Sequence, residues 1–160
     1  MHTVRGMSVP FWLPASVRSG AWPEHVESID LGVTWEPNSP NAVLASSDGG
    51  LTVMAVSAHP DDRDQRCVVL AWSSTRSATM SDPNDEGLAG HRLYDRGLAN
   101  VLWAGRVEDS ALIAELEERA RVHPEHDPAR FASLVHYVIP LKECTVEVVA
   151  AALSTNRAGR

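Results

Sequence analysis

The sequence predicts an α+β fold: a mainly antiparallel curved sheet or partly open barrel of about seven strands, packed with one amphipathic helix. Three observations predict it. Apolar and polar residues alternate with period two in several short runs, Asp48-Gly49 stands between two such runs as a hairpin turn, and one stretch after residue 109 carries helical spacing.

Taken in order, residues 1–27 hold three prolines and two tryptophans without periodicity and read as an irregular arm, with Phe11, Trp12 and Trp22 packing on the body. Ile29, Leu31, Val33 and Trp35 then alternate with polar residues or glycine, as in a half-buried strand that Pro37 ends. Residues 41–45 and 51–57 flank the Ser-Ser-Asp-Gly-Gly turn as a hairpin. Cys67 to Ser73 is apolar on both faces, the pattern of a central strand. Three further strands are expected at 100–107, 134–139 and 144–150. The helix starts at an Asp109 or Ser110 cap, shows Leu112, Ile113, Leu116 and Ala120 on one face, pairs Glu115 with Arg119 and Glu117 with Arg121, and stops at Pro124. Residues 28–152 are expected as a single globular domain and 153–160 as a flexible tail.

Composition narrows function by exclusion. A 160-residue chain with 44% apolar residues is long enough to bury a core without disulfides or metals. The net charge of −7 and the lack of a clustered basic stretch argue against a nucleic-acid partner. Thirteen of the 14 basic residues are arginine, a bias that carries no functional reading. No apolar run approaches the ~20 residues that span a membrane. Pro10 and Pro14 interrupt the run VPFWLPASV and no small-residue cleavage site follows, so a cytoplasmic protein with Cys67 and Cys144 reduced is expected.

The segment from Met80 to Leu98 is the richest in chemistry. It places Asp85, Glu86, His91, Arg92 and Tyr94 in a glycine-punctuated connection between apolar runs, where sites tend to sit. Asp85 or Glu86 suits a general base, His91 an acid/base or orienting group, and Tyr94 a proton donor or clamp. Arg76 and Arg92 suit bidentate binding of an anion, and Trp72 and Trp103, with Trp35, suit the lining of one pocket. The plainer reading makes Pro83-Asn84-Asp85 a turn and Leu93, Tyr94 and Leu98 anchors to the core. His136, between Val135 and Tyr137, reads as a hydrogen-bonded core histidine. Ser110 lacks a G-x-S-x-G setting and is not marked as a nucleophile.

Ala58-His59-Pro60-Asp61-Asp62 resembles the AHPDD(E) signature of the zinc-dependent N-acetylglucosaminyl deacetylases, and His123-Pro124-Glu125-His126 looks like that family's later zinc-ligand motif. The resemblance implies His59, Asp62 and His126 as metal ligands and Asp61 as the base. It is confined to these two motifs. Arg63 stands where the family has Glu, and the chain runs on into the strand at Cys67 instead of a glycine-rich turn and helix. As an ordinary loop, Pro60 and Asp61 favour a turn and leave His59 exposed. Residues 84–98, 115–131 and 136–150 are also similar to a bacterial family with the pattern N-D-E, G-H-x-L-Y, G-L and V-H-P-x-H-x-P, with Arg92 in place of a proline. That resemblance implies one module and no activity.

The function expected is binding of a small molecule at the 84–98 loop, with cofactor-independent acid/base chemistry of the lyase, isomerase or cyclase kind. The catalytic candidates are Asp85, Glu86, His91 and Tyr94. Arg76, Arg92, Trp72 and Trp103 are the ligand-binding candidates. No cofactor and no metal are expected. The alternatives are an immunity-like or regulatory module whose acidic face meets a basic partner, with a homodimer as a further option, and a zinc-dependent deacetylase.

Overall fold

A computed structural model describes residues 23–38 and 41–158, so Phe11, Trp12 and Trp22 lie outside the described residues. The chain forms β1 (His25–Ile29), β2 (Val43–Ser46), β3 (Thr52–Val56), β4 (Cys67–Ser73), β5 (Ser77–Ser81), β6 (Ala104–Glu108), α1 (Ala111–Ala120), α2 (Pro128–Ala132), β7 (Val135–Pro140), β8 (Thr145–Ala150) and β9 (Ala152–Ala158). All pairings are antiparallel. One sheet has the order β1-β6-β7-β8-β5 and the other β2-β3-β4-β9. The α+β class therefore holds. The sheets end at β1 and β5 and at β2 and β9, so neither closes into a barrel.

Period-two alternation builds the layers. Met54, Val56, Val68, Leu70 and Trp72 of the four-stranded sheet meet Tyr137, Ile139, Val146, Val148 and Ala150 of the five-stranded sheet in one buried cluster. The intervening residues of β7 and β8 point the other way. There Val138 packs with Leu93, Leu98, Val101 and Val107, while Val149 packs with Phe131 and Leu134 against α1. The five-stranded sheet is thus the middle layer, between the second sheet and a cover made by α1, α2 and the 84–101 connection. Gly97 lets that cover lie close. Its φ is 114°, and a Cβ there would stand 2.3 Å from the Val26 carbonyl oxygen.

Several expected boundaries move. The strand expected from Ile29 to Trp35 stops at Ile29, and Trp35 keeps only an isolated bridge to Ala58. β1 begins inside the expected arm. Residues 152–158, expected within or beside a flexible tail, form β9 and pair with all of β4. The physical reason is an edge position: β9 alternates half-buried and exposed residues and needs no strong apolar signature. Ala151 alone separates β8 from β9, so the chain leaves one sheet and enters the other at this corner. β4 and β5 switch sheets at the neighbouring corner, where Ser74 has a φ of 53°. Cys67 and Cys144 are free thiols.

Candidate functional site

Alternation along Val146-Glu147-Val148 puts a carboxylate on the covered face of the middle layer. The 84–98 connection crosses above it in three 3-10 turns, the last two being Tyr94–Arg96 and Leu98–Asn100. Its start is fixed by Asn84 Oδ1, which accepts the Gly87 N–H at 3.0 Å, and by Lys142 Nζ donating to Asp85 at 2.8 Å. Its middle is fixed by the buried side chains of Leu93 and Leu98. Between these anchors, the His91 and Arg92 side chains turn inward to the sheet. His91 Nδ1 accepts the Leu93 N–H at 3.2 Å, so Nε2 carries the ring hydrogen and faces Glu147 Oε1 at 3.5 Å.

Glu147 is the hub. Its Oε2 accepts from His136 Nε2 at 2.9 Å and from an Arg92 guanidinium nitrogen at 2.5 Å. His136 is fully buried, and its Nδ1 lies 2.7 Å from the Ser110 hydroxyl. An ionised Glu147 can only accept, so His136 Nε2 bears a hydrogen and, in the neutral ring, Nδ1 accepts from Ser110. Ser110 Oγ in turn accepts the Ile113 N–H at 3.2 Å as the cap of α1. Arg92 also donates to Glu24 at 2.7 Å, and the second oxygen of Glu24 accepts the Ala111 N–H at 3.0 Å. These groups form a closed chain: Ala111 N–H, Glu24, Arg92, Glu147, His136, Ser110. It ties the lead into β1, the connection, β7, β8 and the start of α1.

Burial of Glu147 acts to raise its carboxyl pKa, but the His136 hydrogen bond and the nearby Arg92 guanidinium outweigh it, and the carboxyl sits below its ordinary value. A carboxylate held this way is a weak base and a good orienting group. His136 Nδ1 is the group of this cluster placed to accept a proton from the hydroxyl at its far end.

The expected site residues divide. His91 and Arg92 converge on Glu147. Asp85 and Glu86 are exposed, and the Lys142 hydrogen bond pulls the Asp85 carboxyl below its ordinary range. Tyr94 is half-buried. Trp72 is fully buried between the sheets, its ring centroid 6.2 Å from that of Tyr137. Trp103 donates its indole N–H to the Trp35 carbonyl at 3.1 Å. Neither lines the groove beside α1 or the one lined by Arg106, Tyr137 and Thr155. Glu24, Ser110, His136 and Glu147 were missed as a group. The signal for Glu147 was weak: a lone carboxylate in an apolar strand, at a position that also suits a solvent-facing residue.

Arg76 lies elsewhere, in a groove of about 440 Å³ beside the C-terminal end of α1. Arg119, His123, His126, Arg130 and Phe131 line it too, together with Glu125 and Asp127. The Arg76 guanidinium stands 5.9 Å from the Phe131 ring centroid, and no carboxylate among the described residues pairs with it. Arg119 is paired with Glu115, and Arg130 Nε lies 3.8 Å from Asp127. His123 Nδ1 accepts the Glu125 N–H at 3.2 Å, which leaves its Nε2 hydrogen available. His126 Nε2 has no hydrogen-bond partner among the described residues and lies 3.8 Å from Glu117.

The two motifs of the zinc resemblance stay apart in their partners. Asp62 is ion-paired with Arg157, His59 Nδ1 accepts the Asp61 N–H at 3.2 Å, and the ring of His126 rests 5.7 Å from that of Phe131. Among the described residues, no group of three or more His, Cys, Asp or Glu is placed to hold a metal ion. No described helix is long and apolar enough to cross a membrane. No family model matches the chain, and no match is found among the curated proteins or the solved structures.

Proposed function

We infer that this protein binds a small anionic molecule, bearing a carboxylate or phosphate group, in the groove lined by Arg76, His123, His126 and Arg130. The observation that carries this reading is the Arg76 guanidinium, which faces a concavity without a carboxylate partner in a chain of net charge −7. An acidic protein has carboxylates to spare for exposed arginines, and most of the other described arginines are so paired. Arginine offers the planar donor fork that a carboxylate or phosphate accepts. The apolar wall of Ala120 and Val122 suits a ligand with a short hydrocarbon portion. Arg92, the other arginine expected to hold an anion, is engaged by Glu24 and Glu147 and is not part of this reading.

The test is an NMR titration with inorganic phosphate and, separately, with benzoate. The expected result is saturable shifts confined to the groove, weakened about tenfold or more by Arg76→Ala. Shifts that never saturate, or that are the same in Arg76→Ala, would overturn the reading.

A further inference from the structure

We propose that Ser110 is a masked nucleophile of an ester- or thioester-cleaving site, and that the Glu24 carboxylate occupies the place of the substrate's acyl oxygen. Four observations meet at this point. Ser110 Oγ, His136 and Glu147 form a hydroxyl–imidazole–carboxylate relay at 2.7 and 2.9 Å. Ser110 sits on a sharp strand-to-helix turn: β6 ends at Glu108, Asp109 has a φ of 51°, and α1 begins at Ala111. The N–H of the residue after the serine is the donor that stabilises an oxyanion in many acyl-transfer sites. Here that N–H, from Ala111, is held by Glu24 at 3.0 Å, and Arg92 donates to the same carboxylate at 2.7 Å.

Glu24 thus presents one charged oxygen, Oε2, to the backbone donor that an acyl oxyanion would use, while Arg92 holds its other oxygen, Oε1. The relay differs from the usual arrangement in one respect: the hydroxyl faces Nδ1 and the carboxylate faces Nε2. The exchange leaves the proton path intact, since either ring nitrogen can accept while the other donates.

The step balances without a cofactor. Ser110 Oγ bonds to the acyl carbon while its hydrogen passes to His136 Nδ1 and the carbonyl electron pair moves onto the oxygen. The pair returns as the bond to the leaving group breaks, and the alcohol or thiol departs with the proton from Nδ1. Water then attacks the acyl-serine by the same route, releasing the carboxylic acid and restoring the Ser110 hydroxyl. Glu147 orients His136 and balances its transient charge. Ser110 is only 8% exposed and Glu24 occupies the Ala111 N–H beside it, so Glu24 must withdraw before an acyl oxygen can take that donor.

The test is incubation of the full chain with a fluorophosphonate, read by peptide mass mapping. Glu24→Ala should label at Ser110 at least about tenfold faster than the unsubstituted chain, and adding Ser110→Ala should abolish that label. Glu24→Gln, which keeps the size of the side chain and removes its charge, carries the same test should Glu24→Ala fail to fold. A folded Glu24 variant without label at Ser110, or label that survives Ser110→Ala, overturns the proposal. This result is independent of anion binding at Arg76.

Discussion

The two polar regions of this molecule use the same residue types to opposite ends. Beneath the 84–98 connection, Arg92, His91, His136, Glu147 and Glu24 satisfy one another, with distances of 2.5 to 3.5 Å. Beside α1, Arg76, His123 and His126 face a groove with their pairing incomplete. The first arrangement holds elements together, and its cost in desolvation is met by its own hydrogen bonds. The second has pairing left unmet, which is what the proposed anion would complete. Unmet pairing is thus the mark of the proposed anion site, whereas in the closed chain a ligand must first displace Glu24.

That contrast can be broken most severely at Glu147. Glu147→Ala leaves His136 buried without its acceptor and Arg92 without its inner partner, and should lower stability by about 3 kcal/mol in urea denaturation. A loss below about 1 kcal/mol would mean that the closed chain does not hold the cover. A gentler probe is pH. The Glu147 carboxyl is held below its ordinary value of 4.5, so its contribution is complete above that value and is lost as pH falls through the lower folded one. Urea midpoints taken from about pH 6 down to about pH 3 should fall less steeply in Glu147→Gln than in the unsubstituted protein. The smallest effect on stability belongs to Arg76→Ala, within about 0.5 kcal/mol by the same assay, because that side chain is exposed and holds no carboxylate. A larger loss there would make Arg76 a structural residue and weaken the distinction.

Much of the fold could be read from short-range patterning. The Asp48-Gly49 hairpin, the apolar Cys67–Ser73 strand, β7, β8 and α1 all follow from turn chemistry and periodicity, and all are present. β5 and β9 escaped, since Ser77–Ser81 and Ala152–Ala158 are polar edge strands whose identity depends on a partner far away in sequence. The site was partly legible in the same sense. His91 and Arg92 stood out because loops concentrate function, whereas Glu147, His136 and Ser110 each had an adequate local explanation as strand surface, core histidine and helix cap. Those local roles are real. What sequence could not supply is that they touch, which depends on the register of β7 against β8 and on where β6 delivers the start of α1.

The corner at Ala151 bears on how the protein is made. β4 is synthesised as the middle of a sheet whose outer neighbour, β9, comes after every strand of the other sheet. Until residues 152–158 leave the ribosome, the nascent chain carries β4 with one row of backbone donors and acceptors unpaired, next to an exposed apolar face. During that interval the free edge of β4 is open to pairing with a neighbouring chain, and pairing with β9 closes it.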